Sequence, residues 1–581
     1  MANVNITIDG VKMSVEAGMT VLEAAKTAGI DIPTLCYLKG INQIGACRIC
    51  LVEVEGARGL QPACSYPVSE GMVVRTNTKT VRDARKATLE LILSNHNKNC
   101  LTCSKNTACE LQELAKKLNV EENIYQGEKR EPDIDEVSTS IVRDNSKCIL
   151  CRKCVAVCKN VQTVGAIDVA YRGINSKITP AFDKPLGESN CINCGQCIEA
   201  CPVGALSIKK NTDEVWEALN NPEMHVVVQT APAVRAALGE EFGMELGKAT
   251  TGKMVTALKR LGFDKVFDTD TGADLTIMEE GTEFIKRLQS GKNLPLITSC
   301  SPGWVKFAEH NFPELLDNLS SAKSPMSMFG AIIKTYYADK QGIDPKNIYS
   351  VAVMPCTAKK YECKREEMSS TSAGPDVDAV ITTVELANMI KEAGIKYTNL
   401  PDGQFDDPMG EATGAGVIFG ASGGVMEAAL RTVAEIVENK SLDKLDYTEV
   451  RATEGVKEAE IEIAGSKIKV AVVSGLGNAR KLMDKVKAGE CDYKFIEVMA
   501  CPGGCAMGGG QPRRSDKERE GIDVRALRSK ALYDEDAGLP KRKSHENEVI
   551  KKLYDEFLGE AGSHKAHELL HTKYVKREKN I

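Results

Sequence analysis

The sequence predicts a multidomain protein of mixed α+β and α/β class. Three observations lead to this prediction. The 581 residues can hold about four domains, the 21 cysteines fall into separate clusters, and strands begin to alternate with helices from about residue 223. With 42% hydrophobic residues, the chain can bury a sizeable core. We predict five units, at 1–80, 81–125, 140–215, 216–515 and 516–581.

Composition and charge argue against several classes of function. The formal net charge of −6 argues against a nucleic-acid partner. No run of about eighteen apolar residues occurs and none follows Met1, which argues against a membrane span and a signal peptide. Many cysteines without a secretion signal favour metal or redox use over disulfides. We therefore expect a cytoplasmic protein with redox centres.

Residues 1–80 are predicted to form a small β-rich domain. Asp9-Gly10 separates two alternating runs, Asn3–Ile8 and Val11–Val15, and this is a strong hairpin signal. A helix is expected from about Thr20 to Ala28. Two irons bridged by sulfides need four thiolates. The region supplies four, at a spacing that departs from the plant-type rule: Cys36, Cys47, Cys50 and Cys64. A structural zinc site is the alternative.

The next unit, 81–125, combines a predicted helix from Val81 to Leu93 with three cysteines and a histidine. A neutral imidazole is a serviceable metal ligand. The predicted 4Fe–4S ligands are His96, Cys100, Cys103 and Cys109. The alternative is that His96 is a surface residue in a polar run and that the fourth ligand comes from elsewhere.

Residues 140–215 carry the most specific cysteine pattern. Two runs repeat the spacing of bacterial two-cluster ferredoxins, in which the fourth cysteine of each run ligates the other cluster. The first run has Lys159 where a closing proline is usual, which leaves the ligand count unchanged. One 4Fe–4S cluster is predicted on Cys148, Cys151, Cys154 and Cys201, and the other on Cys158, Cys191, Cys194 and Cys197.

In the α/β region, 216–515, cysteines follow predicted strands. Strands at Leu294–Ile297, Val351–Met354 and Phe495–Val498 lead into loops that contain Cys300, Cys356, and Cys501 with Cys505. Open α/β sheets build their ligand sites just beyond the carboxyl ends of strands. Cys363 and Cys491 lie outside any motif, and we expect them to be small hydrophobic residues. The final segment, Val524–Lys576, is predicted to be helical and to wrap the preceding domain.

Two long motifs in this region resemble signatures of the iron-only (FeFe) hydrogenases of the clostridial monomeric type. Residues 354–362 (MPCTAKKYE) resemble the second family signature, and residues 497–510 (EVMACPGGCAMGGG) resemble the third. The resemblance covers nearly the whole chain in the same domain order. It implies a β-grasp 2Fe–2S domain, a helical His/Cys3 4Fe–4S domain, a two-cluster ferredoxin domain, an α/β H-cluster domain and a C-terminal helical segment like a small subunit.

The resemblance implies a hydrogenase that reversibly converts two protons and two electrons into hydrogen. Its centre would be the H-cluster, a 4Fe–4S cubane joined through one cysteine sulfur to a diiron unit with carbonyl, cyanide and dithiolate-amine ligands. Cys505 would bridge the two parts, with Cys356 and Cys501 on the cubane. Lys359 would donate to a cyanide. Packing around the diiron unit is assigned to Ala231, Pro232, Pro325, Met354 and Met499.

The same resemblance implies a proton path. Protons would pass by Glu283, Ser320 and Glu280 to the loop that holds Cys300 and Ser301. The two glutamates are three residues apart on a predicted helix and therefore share one face. Without the resemblance, an exposed acidic helix face would be the preferred interpretation.

One position departs from the family pattern. The first signature usually has two adjacent cysteines, one a cubane ligand and one a proton relay, whereas this chain has Cys300-Ser301. Spacing to Cys356 puts Ser301 at the usual ligand position and Cys300 at the relay position. Iron–sulfur clusters are held overwhelmingly by thiolates. Two hypotheses follow: Ser301 ligates as an alkoxide, or Cys300 ligates and Ser301 relays, and thiolate chemistry favours the second.

Two alternative functions belong to other classes. The first two hundred residues also resemble iron–sulfur subunits of bacterial complex I and formate dehydrogenase partners, which would make the chain a non-catalytic electron-transfer subunit. A hydrogenase-like assembly or sensory protein is the other alternative. Cys356, Cys501 and Cys505 argue against the first, and the proton-path carboxylates argue against the second. No flavin or nicotinamide motif is present, so we expect an external electron partner, either ferredoxin or flavin/NAD(P)-binding diaphorase-type subunits.

Overall fold

The computed structural model describes residues 2–121, 125, 132–441, 445–451, 455–463, 465–514, 518 and 521–579. Its N-terminal region consists of β1 (Asn3–Ile8), β2 (Val11–Glu16), α1 (Val21–Thr27), β3 (Leu51–Val54), β4 (Gln61–Pro62) and β5 (Val73–Arg75). The strands form one sheet in the order β2-β1-β5-β3-β4. The predicted hairpin is confirmed, with Asp9 and Gly10 at φ of 48° and 86°, as this type of turn requires. Thr20 and Glu23 form a capping box at the start of α1.

The middle of the chain is built from short elements around the cysteines. They are α2 (Lys79–Ser94), α3 (Glu110–Lys117), β6 (Ile134–Asp135), β7 (Ile141–Asp144), α4 (Lys153–Ala156), β8 (Asp168–Ala170), β9 (Lys177–Thr179), α5 (Gln196–Ala200) and β10 (Leu206–Ile208). Strands β10-β7-β6 form a small sheet, and β8 and β9 form a hairpin. Side chains of this part share one apolar cluster with Leu35, Cys36, Cys47 and Ile49 of the N-terminal region. Cysteines from both regions therefore lie in a common core.

The α/β region contains two four-stranded sheets. Its elements are α6 (Thr212–Leu219), β11 (His225–Thr230), α7 (Pro232–Arg235), α8 (Thr251–Leu261), β12 (Lys265–Asp268), α9 (Thr269–Ser290), β13 (Leu296–Ile297), α10 (Pro302–Asn311), α11 (Pro325–Ile332), α12 (Ala338–Gln341), β14 (Ile348–Met354), α13 (Lys359–Glu362), β15 (Ala379–Thr382), α14 (Thr383–Glu392), α15 (Gly414–Val417), α16 (Gly424–Glu438), β16 (Val456–Ile463), β17 (Ser466–Ser474), α17 (Leu476–Ala488) and β18 (Phe495–Met499). One sheet has the order β12-β11-β14-β15, and the other β13-β18-β17-β16.

Pairing within these sheets is parallel except between β16 and β17. The central strands are almost continuously buried and rich in valine, which is typical of parallel strands covered on both faces. The carboxyl ends of β11, β14, β13 and β18 lead directly into Ala231, Pro355, Thr298 and Ala500. The loops after β13, β14 and β18 therefore carry the cysteines that the sequence singled out, and the loop after β11 carries Ala231 and Pro232.

The C-terminal segment is predicted to be helical over Val524–Lys576, and the structure shows three separate helices there. Its helices are α18 (Val524–Gly538), α19 (Glu548–Leu553) and α20 (His564–Leu570). They contact α15, α9 and α11 of the preceding region, so the segment does wrap it. The predicted boundary at 515/516 lies outside the described residues. Among the helices of the described chain, none has the length and apolar character that a membrane crossing requires.

Candidate metal-cluster site

An apolar cavity of about 80 Å³ lies where the carboxyl ends of the two sheets face each other. Its wall includes every residue that the sequence analysis assigned to the centre itself: Ala231, Pro232, Cys300, Ser301, Pro325, Met354, Cys356, Lys359, Met499, Cys501 and Cys505. Sequence reasoning missed Thr269, Phe419 and Gly504, which also line the cavity. No motif marks Thr269 or Phe419, whereas Gly504 is part of the long signature.

Three helices begin at this cavity, each with a proline at its first helical position. Pro232 starts α7, Pro302 starts α10 and Pro325 starts α11. Proline suits this position because its missing N–H has no partner inside the helix, and its fixed φ is already helical. The amino-terminal ends of α10 and α11 carry partial positive charge. The cavity therefore suits an anionic group.

Three thiols meet at the cavity, with Cys501 buried and Cys356 and Cys505 partly buried. Burial raises the pKa of Cys356, Cys501 and Cys505, the last to about 12. The neighbouring thiols raise the pKa values of Cys501 and Cys505 further, whereas the Lys359 ammonium lowers those of Cys356 and Cys505. Without a cation these thiols stay protonated at neutral pH. Metal binding is what lets such a set ionise, so the donor set fits an iron–sulfur group.

Cys300 and Ser301 point to different neighbours. Burial raises the pKa of Cys300, and the carboxylate of Glu280 and the thiolate of Cys505 raise it further. The Ser301 hydroxyl accepts a hydrogen bond from the backbone N–H of Ala500 (3.3 Å), immediately before Cys501. Cys300 thus faces the predicted proton path, and Ser301 lies on the side of Cys501.

Lys359 is held by this loop and by its own helix. Its Nζ donates to the backbone carbonyl of Cys300 (3.2 Å) and pairs with Glu362 at 2.6 Å. The ammonium is 10% exposed and lines the cavity. It is placed to donate to an anionic acceptor there.

Glu280 and Glu283 of α9 lie close to Ser320, in the segment before α11, and these are the three residues that the resemblance assigns to a proton path. Glu280 is 1% exposed. Burial and the charge of Glu283 raise the pKa of Glu280 to about 8, although the hydrogen bond with the Ser320 hydroxyl lowers it. Ser320 Oγ donates to Glu283 Oε2 (3.4 Å), and Arg287 pairs with Glu283 Oε1 at 2.5 Å. Glu280 therefore holds a proton at neutral pH, and the exposed acidic face considered as an alternative is not observed.

A second cavity, of about 20 Å³, is lined by one of the ferredoxin-like sets. Its wall includes Cys148, Cys151, Cys154 and Cys201. Cys201, the last cysteine of the second run, therefore lies with the first three cysteines of the first run. Burial raises the pKa of Cys154 well above its usual value, and the thiols of Cys151, Cys201 and Cys148 raise it further.

The other two four-cysteine sets are also brought together. Burial raises the pKa of Cys197, with further raising by Cys191, Cys194 and Cys158. In the N-terminal region all four thiols are buried and lie within reach of each other's charge: Cys36, Cys47, Cys50 and Cys64. No three His, Cys, Asp or Glu groups of the described residues converge as they would around a single ion. Four cysteines around a multi-iron cluster need not converge in that way.

His96 is partly buried, and its Nδ1 atom is shielded from solvent. Desolvation lowers its pKa to about 4, so the imidazole is neutral and can ligate. Its Nδ1 is buried without a hydrogen-bond partner among the described residues, which a metal ligand would explain. Cys100 and Cys103 lie in the turn before α3, Cys109 caps the start of that helix, and burial together with the charges of Cys103 and Cys100 raises the pKa of Cys109.

Replacing His96 with alanine is expected to remove roughly four irons per chain, the content of one 4Fe–4S cluster. The His96→Cys variant should keep them, because a thiolate replaces the imidazole. Iron analysis and electron paramagnetic resonance of the reduced proteins measure both. Unchanged iron in His96→Ala would rule out the histidine as a ligand.

Residues that join the cysteine sets to each other were not found from the sequence. Asn42 Nδ2 donates to the carbonyls of Cys36 (2.7 Å) and Cys151 (3.0 Å). Gln162 Nε2 donates to the carbonyl of Ala500 (3.0 Å) and lies 3.7 Å from Cys194 Sγ. Single polar residues without a repeating pattern give no sequence signal for such contacts.

This arrangement of thiol sets leading to a buried cavity defines an iron–sulfur oxidoreductase. Comparisons with known proteins agree. Residues 224–509 match the model "Iron only hydrogenase large subunit, C-terminal domain", and 522–577 match "Iron hydrogenase small subunit". Residues 1–79 match a 2Fe-2S iron-sulfur cluster binding domain, 85–123 an NADH-ubiquinone oxidoreductase-G iron-sulfur binding region, and 147–205 a 4Fe-4S dicluster domain.

Relatives that match over nearly the whole chain are also named as hydrogenases or hydrogenase subunits. The chain is 51% identical to the NADP-reducing hydrogenase subunit HndD of Solidesulfovibrio fructosivorans over all of both chains. It is 46% identical to Iron hydrogenase 1 of Clostridium pasteurianum, over 98% of this chain and 100% of that one. The structure of apo [FeFe]-hydrogenase HydA1 from Chlamydomonas reinhardtii shares 44% identity and a TM-score of 0.57, covering 64% of this chain and all of that chain. The chain belongs to the iron-only (FeFe) hydrogenase family.

Proposed function

We propose that this chain catalyses the reversible interconversion of protons, electrons and molecular hydrogen, with electrons relayed through its N-terminal iron–sulfur clusters. The observation that carries the proposal is the cavity between the two sheets, where three cysteines and Lys359 meet and the buried carboxyl of Glu280 lies close to Cys300. A non-catalytic electron-transfer subunit would need the thiol sets but neither the cavity nor the path.

The proposed cofactors are one 2Fe–2S cluster, three accessory 4Fe–4S clusters and the H-cluster. The H-cluster, when bound, supplies the iron centre at which hydrogen is formed or split. Cys356, Cys501 and Cys505 would hold it, and Lys359 would donate a hydrogen bond to an anionic ligand. Apolar side chains of the wall exclude water, which strengthens these charge interactions.

Proton delivery is the task of the chain's own side chains. Glu283 would take up a proton near the surface, Ser320 would pass it inward, and Glu280 would hold it in the protonated form that its raised pKa favours. A group that exchanges protons works best when its pKa lies near the working pH. The pKa of about 8 therefore supports Glu280 in this role.

The contacts favour Cys300 as the group that takes the proton from Glu280, with Ser301 as the oxygen donor on the cubane side. Cys300→Ala should then keep its iron but lose about 10²-fold in turnover, as expected for a proton-transfer group, whereas Ser301→Ala should change the cubane spectrum. Iron analysis, electron paramagnetic resonance and dye-linked turnover measure these effects. Loss of the cubane in Cys300→Ala would instead support Cys300 as the ligand, the preference that thiolate chemistry alone gives.

The electron route follows from the polar contacts between the sets. Asn42 joins the 2Fe–2S region to the loop of Cys151, and Gln162 joins Cys194 to the loop of Cys501. Arg513 pairs with Glu110, beside the His96 set, and donates to the carbonyl of Cys201. The N-terminal regions would therefore receive electrons from an external partner, ferredoxin or a flavin/NAD(P)-binding diaphorase-type subunit. The name of HndD, an NADP-reducing hydrogenase subunit, supports the second.

Hydrogen-linked dye reduction by anaerobically matured protein tests the proposal. We expect turnover in both directions together with infrared bands in the carbonyl and cyanide region. Protein with a full complement of iron but neither bands nor turnover would be an electron-transfer subunit instead.

A further inference from the structure

A second group of titratable side chains adjoins the carboxylate path, where the C-terminal segment meets α9. His571, just after α20, has a hydrogen bond at each ring nitrogen: Nδ1 with Ser321 Oγ (2.8 Å) and Nε2 with Glu279 Oε2 (2.9 Å). The hydroxyl of Tyr554 donates to the other oxygen of Glu279 (2.6 Å). Ser321 Oγ also lies 3.0 Å from Glu283 Oε2. An imidazole is thus joined to the proton path by one hydroxyl.

The two oxygens of Glu283 have different partners. Oε1 accepts from the guanidinium of Arg287, which does not lose its proton in proteins. Oε2 faces the hydroxyls of Ser321 (3.0 Å) and Ser320 (3.4 Å). Protons can therefore be exchanged at Oε2, with Ser321 on one side and Ser320 leading inward on the other.

A second histidine links this branch to solvent. The ring of His567 is exposed and lies 4.2 Å from that of His571, centroid to centroid. Partial burial lowers the pKa of His567, and the charges of His571 and Lys286 lower it further, whereas Glu279 and Glu283 raise it. Histidine is the side chain whose charge ordinarily changes near neutral pH.

We infer that His567 and His571 form a proton-collecting branch that feeds Glu283 through Ser321. The inference rests on the proposed function. It adds a route beside the partly exposed edge of Glu283 itself, whose side chain is 17% exposed. Glu279 acts as a positioning residue, because its carboxylate fixes the orientation of the His571 ring.

The proton balance of the branch is simple. Charged His571 carries N–H on both nitrogens, so Nδ1 donates to Ser321 Oγ. As that proton moves to Ser321, the hydroxyl proton of Ser321 moves to Glu283 Oε2. His571 becomes neutral and regains a proton from solvent beside His567. One proton has then passed from water to Glu283, and no electron has moved.

A purely structural role for His571 predicts a different outcome. His571 forms a β-bridge with Ala322, and Thr572 N–H donates to the carbonyl of Ser321 (2.8 Å). These contacts hold the C-terminal segment in place. Loss of such a role would lower activity or stability by the same factor at every pH, so the pH profile distinguishes the two roles.

The test uses matured holoenzyme with His571→Gln, Ser321→Ala and His567→Gln. The matched control is His564→Gln, because His564 lies on α20 with His567 and its side chain is 90% exposed. Dye-driven hydrogen evolution is measured from acid to alkaline pH. At the acid end, where protons enter through the branch, we expect His571→Gln and Ser321→Ala to be slower by about tenfold, less than the roughly 10²-fold of a transfer group without bypass. The rates should converge on wild type as the pH rises.

Further outcomes decide the proposal. Restoration of His571→Ala by added imidazole would support proton transfer, since imidazole in solution cannot replace a structural contact. A pH-independent loss in both His571→Gln and Ser321→Ala, or no loss in either, would overturn it. If His571→Gln fails to mature, Ser321→Ala carries the test, because it leaves His571 and Glu279 in place. Wild-type protein without infrared bands or turnover would overturn the proposed function, not the branch.

Discussion

Replacing Cys505 with alanine is expected to abolish hydrogen turnover. Cys505 is a partly buried thiol in the cavity wall, and its thiolate is the proposed link between the two parts of the H-cluster. Without it the reaction loses its centre, and with it an acceleration that in enzymes is at least about 10⁶-fold. The carbonyl and cyanide infrared bands should disappear together with the activity.

Cys363→Ala is the matched control. Cys363 is 2% exposed and lies in the apolar core seven residues after Cys356, outside the cavity wall. Its loss removes one buried sulfur and should cost some stability but no infrared bands. Bands and turnover that survive in Cys505→Ala would show that the H-cluster is held elsewhere.

Replacing Glu280 with glutamine is expected to have the second largest effect. Glutamine keeps the size of the side chain but cannot exchange a proton, so turnover should fall by about 10²- to 10⁴-fold. The clusters should remain, because Glu280 is not a proposed ligand. Dye-linked assays in both directions, with iron analysis and infrared spectra, measure this outcome.

Glu280 should also make the stability of the wild-type protein depend on pH, and Glu280→Gln should remove this dependence. The pKa of Glu280 is raised from 4.5 to about 8 in the folded protein, first by burial and then by the charge of Glu283. Its contribution to stability is therefore complete below 4.5 and is lost as the pH rises through about 8. The melting temperature of wild type should therefore fall over this pH range, relative to that of Glu280→Gln.

Asp274→Asn provides a control for the loss of a buried carboxyl on the same helix. Asp274 is fully buried, accepts hydrogen bonds from Thr413 and Asn547, and lies outside the proton path. It should affect stability and leave turnover per assembled cluster unchanged. A Glu280→Gln enzyme with full turnover would show that protons reach the cavity by another route.

Much of the fold and site follows from local patterns. The Asp9-Gly10 hairpin, the helix at Thr20 and the strands before Cys356 and Cys501 all appear where alternation and turn residues predict them. Local patterns fail where packing alters an element. The C-terminal segment, which is predicted to be helical over Val524–Lys576, divides into three separate helices.

The sequence by itself determined the thiol sets and the signature loops, because four closely spaced cysteines or a long glycine-rich motif restrict the geometry of adjacent residues directly. Only the tertiary structure decided the partial burial of His96, the different neighbours of Cys300 and Ser301, and the contact between Gln162 and Ala500, 338 residues apart. It alone also joined His571 to Ser321, 250 residues earlier. Such contacts depend on which surfaces pack together, and neither a polar side chain nor its neighbours in the chain encode that partner.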